Sequence, residues 1–349
     1  MSLRTIQSES TNPPVKGAVV DCRLPTLSPL AVTTVGKWRS KLSNSVTRRV
    51  MTLDRLYALI AQGFGQGRDE AYKPWIRVTR SLSSPKSNVF VAQVPIHERG
   101  LHLLAGTEYN AGQLASWLGA LEVREQFPLW PSPSRSPLWG LHPERDRTLV
   151  PAPGLLEIAA DAGIDHGTYV GGNIPFVATT DLVLRIGVPP NDKLVFWSVK
   201  PLEKIVRGKS AARIRERLEL ERRYAVAVGA HHGVIDGTEM TRSLVENLDW
   251  FRPLRSELLA FRKTQCIEDF AAAFEGLAVD GDPLRVCIDA AGEQCSIPPN
   301  RVQAFFRAAT WLGLTDVDLG VSVLMTKPPT RGGGARKLQL RKALLGDAS

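Results

Sequence analysis

Apolar and polar positions alternate along TTDLVLRIGVPPNDKLVFWSVK on both sides of VPPND, and that period of two is the mark of a β-strand. Pro189, Pro190, Asn191 and Asp192 are turn formers, so the segment predicts a β-hairpin. A turn centred between Pro190 and Asn191 sets Leu182 opposite Val199, Leu184 opposite Trp197 and Ile186 opposite Val195, giving one uniformly apolar face. The other face carries Asp181, Val183, Arg185, Phe196, Ser198 and Lys200. In this register Asp181 faces Lys200, with Cβ atoms about 4.5–5.5 Å apart. Hairpin geometry alone makes the pair a cross-strand salt bridge.

Upstream the period changes. In GLHLLAGTEYNAGQLASWLGALEVREQFPLW, residues Leu101, Leu104, Glu108, Ala111, Ala115 and Leu118 recur at helical spacing and mark one face of a helix. Glu108 falls inside that stripe. A carboxylate turned toward a core needs a hydrogen bond, a cation or a metal, because an unpaired one is costly or shifts its pKa. The alternative is a solvated place at the helix edge. ALEVREQFPLW then alternates as a strand, a Pro-rich insertion covers 130–154, and LLEIAADAGI is a short helix leading into the hairpin. AARIRERLELERRYAVAVG reads as a charged helix covering the sheet, with Arg215 to Glu219, Arg217 to Glu221 and Glu219 to Arg223 spaced to pair. MTLDRLYALIAQGFGQGRDEAYKPWIRVTR predicts a short helix, a Gly-rich turn and a first strand. Gly63, Gly65 and Gly67 do not make a phosphate loop, since no strand precedes them and no GKS or GKT follows.

This order predicts an α/β fold, a mixed central sheet flanked by helices. Residues 1–35 read as a flexible arm, 36–252 as the α/β domain, 253–326 as a small helical or winged-helix-like domain and 327–349 as a basic tail. In the third segment SELLAFRKTQCIEDFAAAFEGLA and PPNRVQAFFRAATWLGL are helical, and VDLGVSVLMT reads as a strand.

Composition sharpens the picture. The 349 residues are 43% hydrophobic, with eight Trp and eleven Phe, enough for packed cores. A net charge of +9 and a pI near 9.6 point to a polyanionic partner, most simply nucleic acid. Basic residues gather in KWRSKLSNSVTRRV and from Lys327 onward. Cys22, Cys266, Cys287 and Cys295 show no CxxC spacing, so neither a zinc site nor a disulfide framework is favoured and a reducing cytoplasm fits. No apolar run approaches the roughly 20 residues that span a bilayer, and the start lacks a signal pattern. His102, His166, His231 and His232 lack the spacing of a metal site.

Glu108 on a helix, Asp181 on a strand and Ser198-Val199-Lys200 on the next strand carry a chemical meaning together. Two carboxylates from separate elements can hold Mg²⁺, with the Val199 carbonyl as a further ligand, while a lysine beside them orients a water for attack on a phosphodiester. That is the layout of the restriction-endonuclease-like core, D followed by (D/E/Q)xK. At this point GFGQGRDEAYKPWIRV, GLHLLAGTE, VREQFPL, GIDH, TTDLVL, WSVKP and RERLELERRY, in this order over roughly residues 50–250, resemble the TnsA subunit family of heteromeric cut-and-paste transposases.

The resemblance implies a Mg²⁺-dependent endonuclease, with Mn²⁺ able to substitute, that nicks the 5′ strands at transposon ends in double-stranded DNA. It implies an integrase-like TnsB partner for the 3′ strands and a TnsC ATPase docked through the C-terminal domain and tail. On matching positions, Glu108 of GTE and Asp181 of TTD bind metal and Lys200 of SVK positions the water or stabilises phosphate charge. Gln126 and Ser198 are candidates to line the site. Two positions depart from the family pattern: Ser198 stands where Gln or Glu is favoured, and Ala225 where Trp follows ERRY. Ser198 keeps a second possibility open, a non-catalytic adaptor that holds DNA or the ATPase. A third is a self-sufficient restriction or repair endonuclease.

Overall fold

The computed structural model describes residues 51–79, 90–170, 172–187, 191–278 and 281–346. The N-terminal arm, the cluster KWRSKLSNSVTRRV, and Pro189 and Pro190 of the hairpin turn lie outside them. The chain begins with α1 (Leu53–Ala61), capped by the Thr52 hydroxyl, which accepts from the Arg55 amide. Two short strands, β1 (Phe90–Ala92) and β2 (Leu101–Leu103), pair antiparallel, and α2 (Gly106–Trp117) follows. The central sheet is built from β3 (Glu122–Leu129), β4 (Ala178–Ile186), β5 (Lys193–Val199) and β6 (His231–Ile235), in that order across it. β3, β4 and β5 are antiparallel neighbours, while β6 runs parallel to β5. The sheet is therefore mixed. The β5-to-β6 connection carries α4 (Leu202–Val206) and α5 (Ala211–Ala227), the helical crossover a parallel pair requires.

One face of this sheet packs under α5 and α3 (Leu155–Ala162), where Phe127, Val183, Leu194 and Phe196 meet Leu155, Ile158, Leu220 and Tyr224. On the other face Leu182, Leu184 and Trp197 are fully buried, and α2 crosses β4 and β5. Each such side chain contributes about 1.5–3 kcal/mol by leaving water. β3 is a sheet edge yet wholly buried. Its exposed backbone groups are taken up from outside the sheet. His97 Nε2 accepts from the Val123 amide at 3.0 Å, Arg99 donates to the Val123 carbonyl at 2.8 Å, and the Trp75 amide donates to the Gln126 carbonyl at 3.2 Å. The edge is closed to further strands.

Several expectations change on folding. The hairpin register is offset by two residues from the one read in the sequence: Leu182 pairs with Trp197, Leu184 with Val195 and Ile186 with Lys193. The loop between them is longer than the four turn formers. Gly187, at φ 91°, opens it, and Asp192 closes it by accepting from Arg185 at 3.0 Å while bonded to His142 at 2.8 Å. An even slip leaves every side chain on its predicted face, so only the partners move. Leu101 belongs to β2 and Leu104 precedes α2, so the helix starts later than its stripe suggested. Among the described residues 68–79 the expected first strand is not formed, and Lys73 makes an isolated bridge to Gln66.

After the sheet come α6 (Arg242–Phe251), α7 (Arg255–Phe261), α8 (Cys266–Leu277), α9 (Leu284–Gln294) and α10 (Pro299–Leu312). Phe251, Phe261, Phe270, Phe274, Phe305 and Phe306 form their aromatic core. VDLGVSVLMT is not a strand: Val317 makes one isolated bridge to Arg331, and the Asp318 carboxylate bonds the Gly320 amide and Arg336. Among the described residues of 253–326 there is no strand to form a wing. The final helix, α11 (Gly333–Leu345), returns to the sheet, where the buried Trp197 indole N–H donates to the Leu344 carbonyl at 2.9 Å. Leu344 is itself buried. Leu344→Ala is expected to lower unfolding free energy by about 2–5 kcal/mol in a denaturant titration, because it leaves a cavity against β6.

Candidate active site

The site lies where β4 and β5 part. Their main-chain ladder ends at the Leu182–Trp197 pair, and side chains take over from there. The Thr180 hydroxyl donates to the Trp197 carbonyl at 3.3 Å, and the Asp181 carboxylate accepts from the Val199 amide at 2.7 Å. The same Asp181 oxygen is bonded to the Lys200 ammonium, which also donates to the Val199 carbonyl at 3.2 Å. By the observed register Asp181 corresponds to Ser198, so Lys200 stands two residues further along and its long side chain folds back to reach the carboxylate. Asp181, Val199 and Lys200 are thereby locked into one cluster.

Glu108 arrives from the other element. It occupies the first turn of α2, where the helix dipole favours an anion, and its carboxylate accepts from the Leu104 amide at 2.9 Å. Gln126 donates to the same oxygen at 3.2 Å and accepts from the Thr179 hydroxyl at 3.1 Å. Gln126 lies on β3 between the residues paired with Leu182 and Thr180, which places it beside Asp181 across the sheet. Its φ of 47° is left-handed, a conformation that costs a non-glycine residue of order 1–3 kcal/mol and that gathers at functional sites.

Ser198 brings in a third carboxylate. Its hydroxyl bonds the Glu221 carboxylate of α5 and lies 2.9 Å from His232 Nε2. Glu221 is buried and does not pair with Arg217, whose guanidinium sits over the Phe176 ring. This third carboxylate was missed in the sequence, although the signal existed: Leu220, Glu221, Tyr224 and Ala225 form the buried stripe of α5, as Glu108 lies in that of α2. The charge-pair spacing of the helix concealed it.

The electrostatics follow from crowding. Burial and then the Asp181 charge raise the pKa of Glu108 to about 7, and the same two causes raise Glu221 to about 7. Burial pulls Lys200 down, but Asp181, Glu221 and Glu108 outweigh it and the net shift is upward. Burial first, then His231, lowers His232 to about 4, so that ring is neutral at pH 7. Three carboxylates thus share one ammonium, and two of them titrate near neutrality. Among the described residues no group of three or more Asp, Glu, His or Cys is placed to hold a metal ion. Two carboxylates and a carbonyl instead suit a hard cation that keeps several waters.

No protein-family model matches the chain. Over 201 residues it is 28% identical to the Transposon Tn7 transposition protein TnsA of Escherichia coli, a similarity covering 57% of this chain and 62% of that relative. The match therefore spans less than two thirds of the relative's length. Among the described residues no helix is long and apolar enough to cross a membrane.

The raised carboxylates fix a stability trend. A folded acid with a pKa above its unfolded value binds the extra proton in the folded state, so stability is full below about pH 4.5 and falls as pH rises through about 7. Denaturant unfolding in EDTA from pH 5 to pH 8 is expected to show this fall in the wild type and a shallower one in Glu221→Gln.

Proposed function

We propose that the chain is a Mg²⁺-dependent DNA endonuclease with a restriction-endonuclease-like core, acting as the TnsA-type subunit of a heteromeric transposase. In this reading it hydrolyses the 5′ strands at transposon ends beside a TnsB-like transposase and a TnsC-like ATPase. The observation that carries it is the meeting of Glu108, Asp181 and Lys200 at the open end of the β4–β5 ladder. The similarity to TnsA and the +9 charge support it.

Glu108, Asp181 and the Val199 carbonyl would hold Mg²⁺, or Mn²⁺ in its place. Such an ion supplies charge neutralisation at a phosphodiester and a more acidic water. The chain's own groups do the rest. Lys200 keeps its proton, so it acts as a fixed cation that faces developing phosphate charge and orients a water, not as a base. Asp181 holds that ammonium in place. Gln126 and the Leu104 amide fix the Glu108 carboxylate. Glu221, tied to Ser198, supplies on a helix the carboxylate that the strand lacks at Ser198.

Supercoiled plasmid bearing transposon ends tests this, with the cognate transposase and ATPase present and absent. Metal-dependent 5′-strand nicking is expected, falling at least a hundredfold in Asp181→Asn and Lys200→Ala with unchanged circular dichroism. Nicking should also weaken below about pH 7, where Glu108 holds a proton that competes with metal. Transposition that survives Asp181→Asn would instead make the chain an adaptor, and cleavage of naked DNA without partners a self-sufficient nuclease.

A further inference from the structure

A cavity of about 350 Å³ opens between the ends of α2 and α10 and one side of α11, and none of its lining residues belongs to the acidic cluster. Three cations line it, Arg262, Lys337 and Arg341, and no Asp or Glu does. Lys337 donates to the Trp311 carbonyl at 3.1 Å and lies 5.2 Å from the Trp117 ring centre. Arg341 donates to the Leu118 carbonyl. Two glycines leave room for these head groups. A Cβ on Gly119, at φ 91°, would come 2.7 Å from Arg341 Nη1, and one on Gly313, at φ 79°, would come 3.2 Å from Lys337 Nζ.

Capping the C-terminal ends of α2 and α10 accounts for one donor on each of two cations. It leaves their other N–H groups, and all of Arg262, without an acceptor among the described residues. Trp117 is 3% exposed, and its indole N–H also lacks an acceptor there. Asp316, close in the chain, is already engaged by the Gly332 and Gly334 amides, each at 2.9 Å. Burial, then Arg341 and Arg262, pull Lys337 down to about 8, the response of a cation crowded by like charge with no counter-charge.

We propose that this cavity is a phosphate-binding site, with Arg262, Lys337, Arg341 and the Trp117 N–H as its donors. A carboxylate carries one charge and two oxygens, too few for three cations and an indole. A phosphate monoester or diester brings more acceptor oxygens and matches the guanidinium fork. The cavity also exceeds a bare phosphate and leaves space for the rest of an ester beside Trp311 and Leu338.

Calorimetry and tryptophan fluorescence on the full chain test it, with inorganic phosphate, a nucleoside 5′-monophosphate and a short DNA duplex, against chloride at equal ionic strength. One saturable site is expected, weakened at least tenfold in Lys337→Met and in Arg262→Ala, whose exposed side chain can be removed without disturbing the fold. If duplex binding weakens in Arg262→Ala and its salt slope falls by about one, the phosphate is that of the DNA backbone. If only the small ligands weaken, it is that of a soluble ester. No saturable binding of any of the three beyond chloride, or equal binding by both variants, would reduce the cavity to two capped helix ends.

Discussion

The molecule turns on the Asp181 carboxylate, which ends one structure and begins another. By accepting from the Val199 amide it replaces a rung of the β4–β5 ladder, so the two strands part without leaving a buried amide unpaired. By binding Lys200 it fixes a flexible ammonium beside the gap. Everything else at the site is arranged around that gap: Glu108 enters from the first turn of α2, Gln126 bends β3 to meet it, and Ser198 directs Glu221 in from α5. The sheet and its two helical layers serve as a frame that holds acids close together at the cost of raising their pKa values.

That crowding makes the cluster more than a one-acid, one-base pair. A salt bridge needs one acid and one base, and here Asp181 and Lys200 satisfy each other. Glu108 and Glu221 crowd the same ammonium, and both are shifted upward to about 7, so each holds a proton part of the time at neutral pH. A fold selected for stability alone would place apolar residues at such positions. Elsewhere the chain pairs its buried acids: Glu122 meets Arg68, and Glu125 meets Arg99 at 2.9 Å. The acids of β3 are thus ringed by guanidinium groups, whereas those at the end of β4 share the Lys200 ammonium.

Much of this was legible beforehand. Alternation in TTDLVLRI and KLVFWSVK located both strands and their faces, while helical spacing put Glu108 in an apolar stripe but left a solvated helix edge open, which its burial in the fold decides against. Register was not legible, because loop length depends on how Gly187 and Asp192 close the turn and a two-residue slip preserves every hydrophobic position. The contribution of Glu221 was obscured by its charged neighbours, since spacing alone cannot say which Glu of RERLELERR is buried. VDLGVSVLMT alternates like a strand but has no strand partner among the described residues, and its backbone groups bond the Asp318 carboxylate, the Asn247 side chain and the backbone of Thr330 and Arg285. The return of α11 to Trp197 is a contact across 147 residues and leaves no local signal.

The proposed nuclease requires that Glu108, Asp181 and the Val199 carbonyl hold a divalent ion. Mn²⁺ binding followed by electron paramagnetic resonance measures this without DNA or turnover. One bound ion per chain in the wild type, at least tenfold weaker in Asp181→Asn and in Glu108→Gln, is the predicted result. Equal Mn²⁺ affinity in all three proteins would contradict it and return Asp181 and Lys200 to a salt bridge.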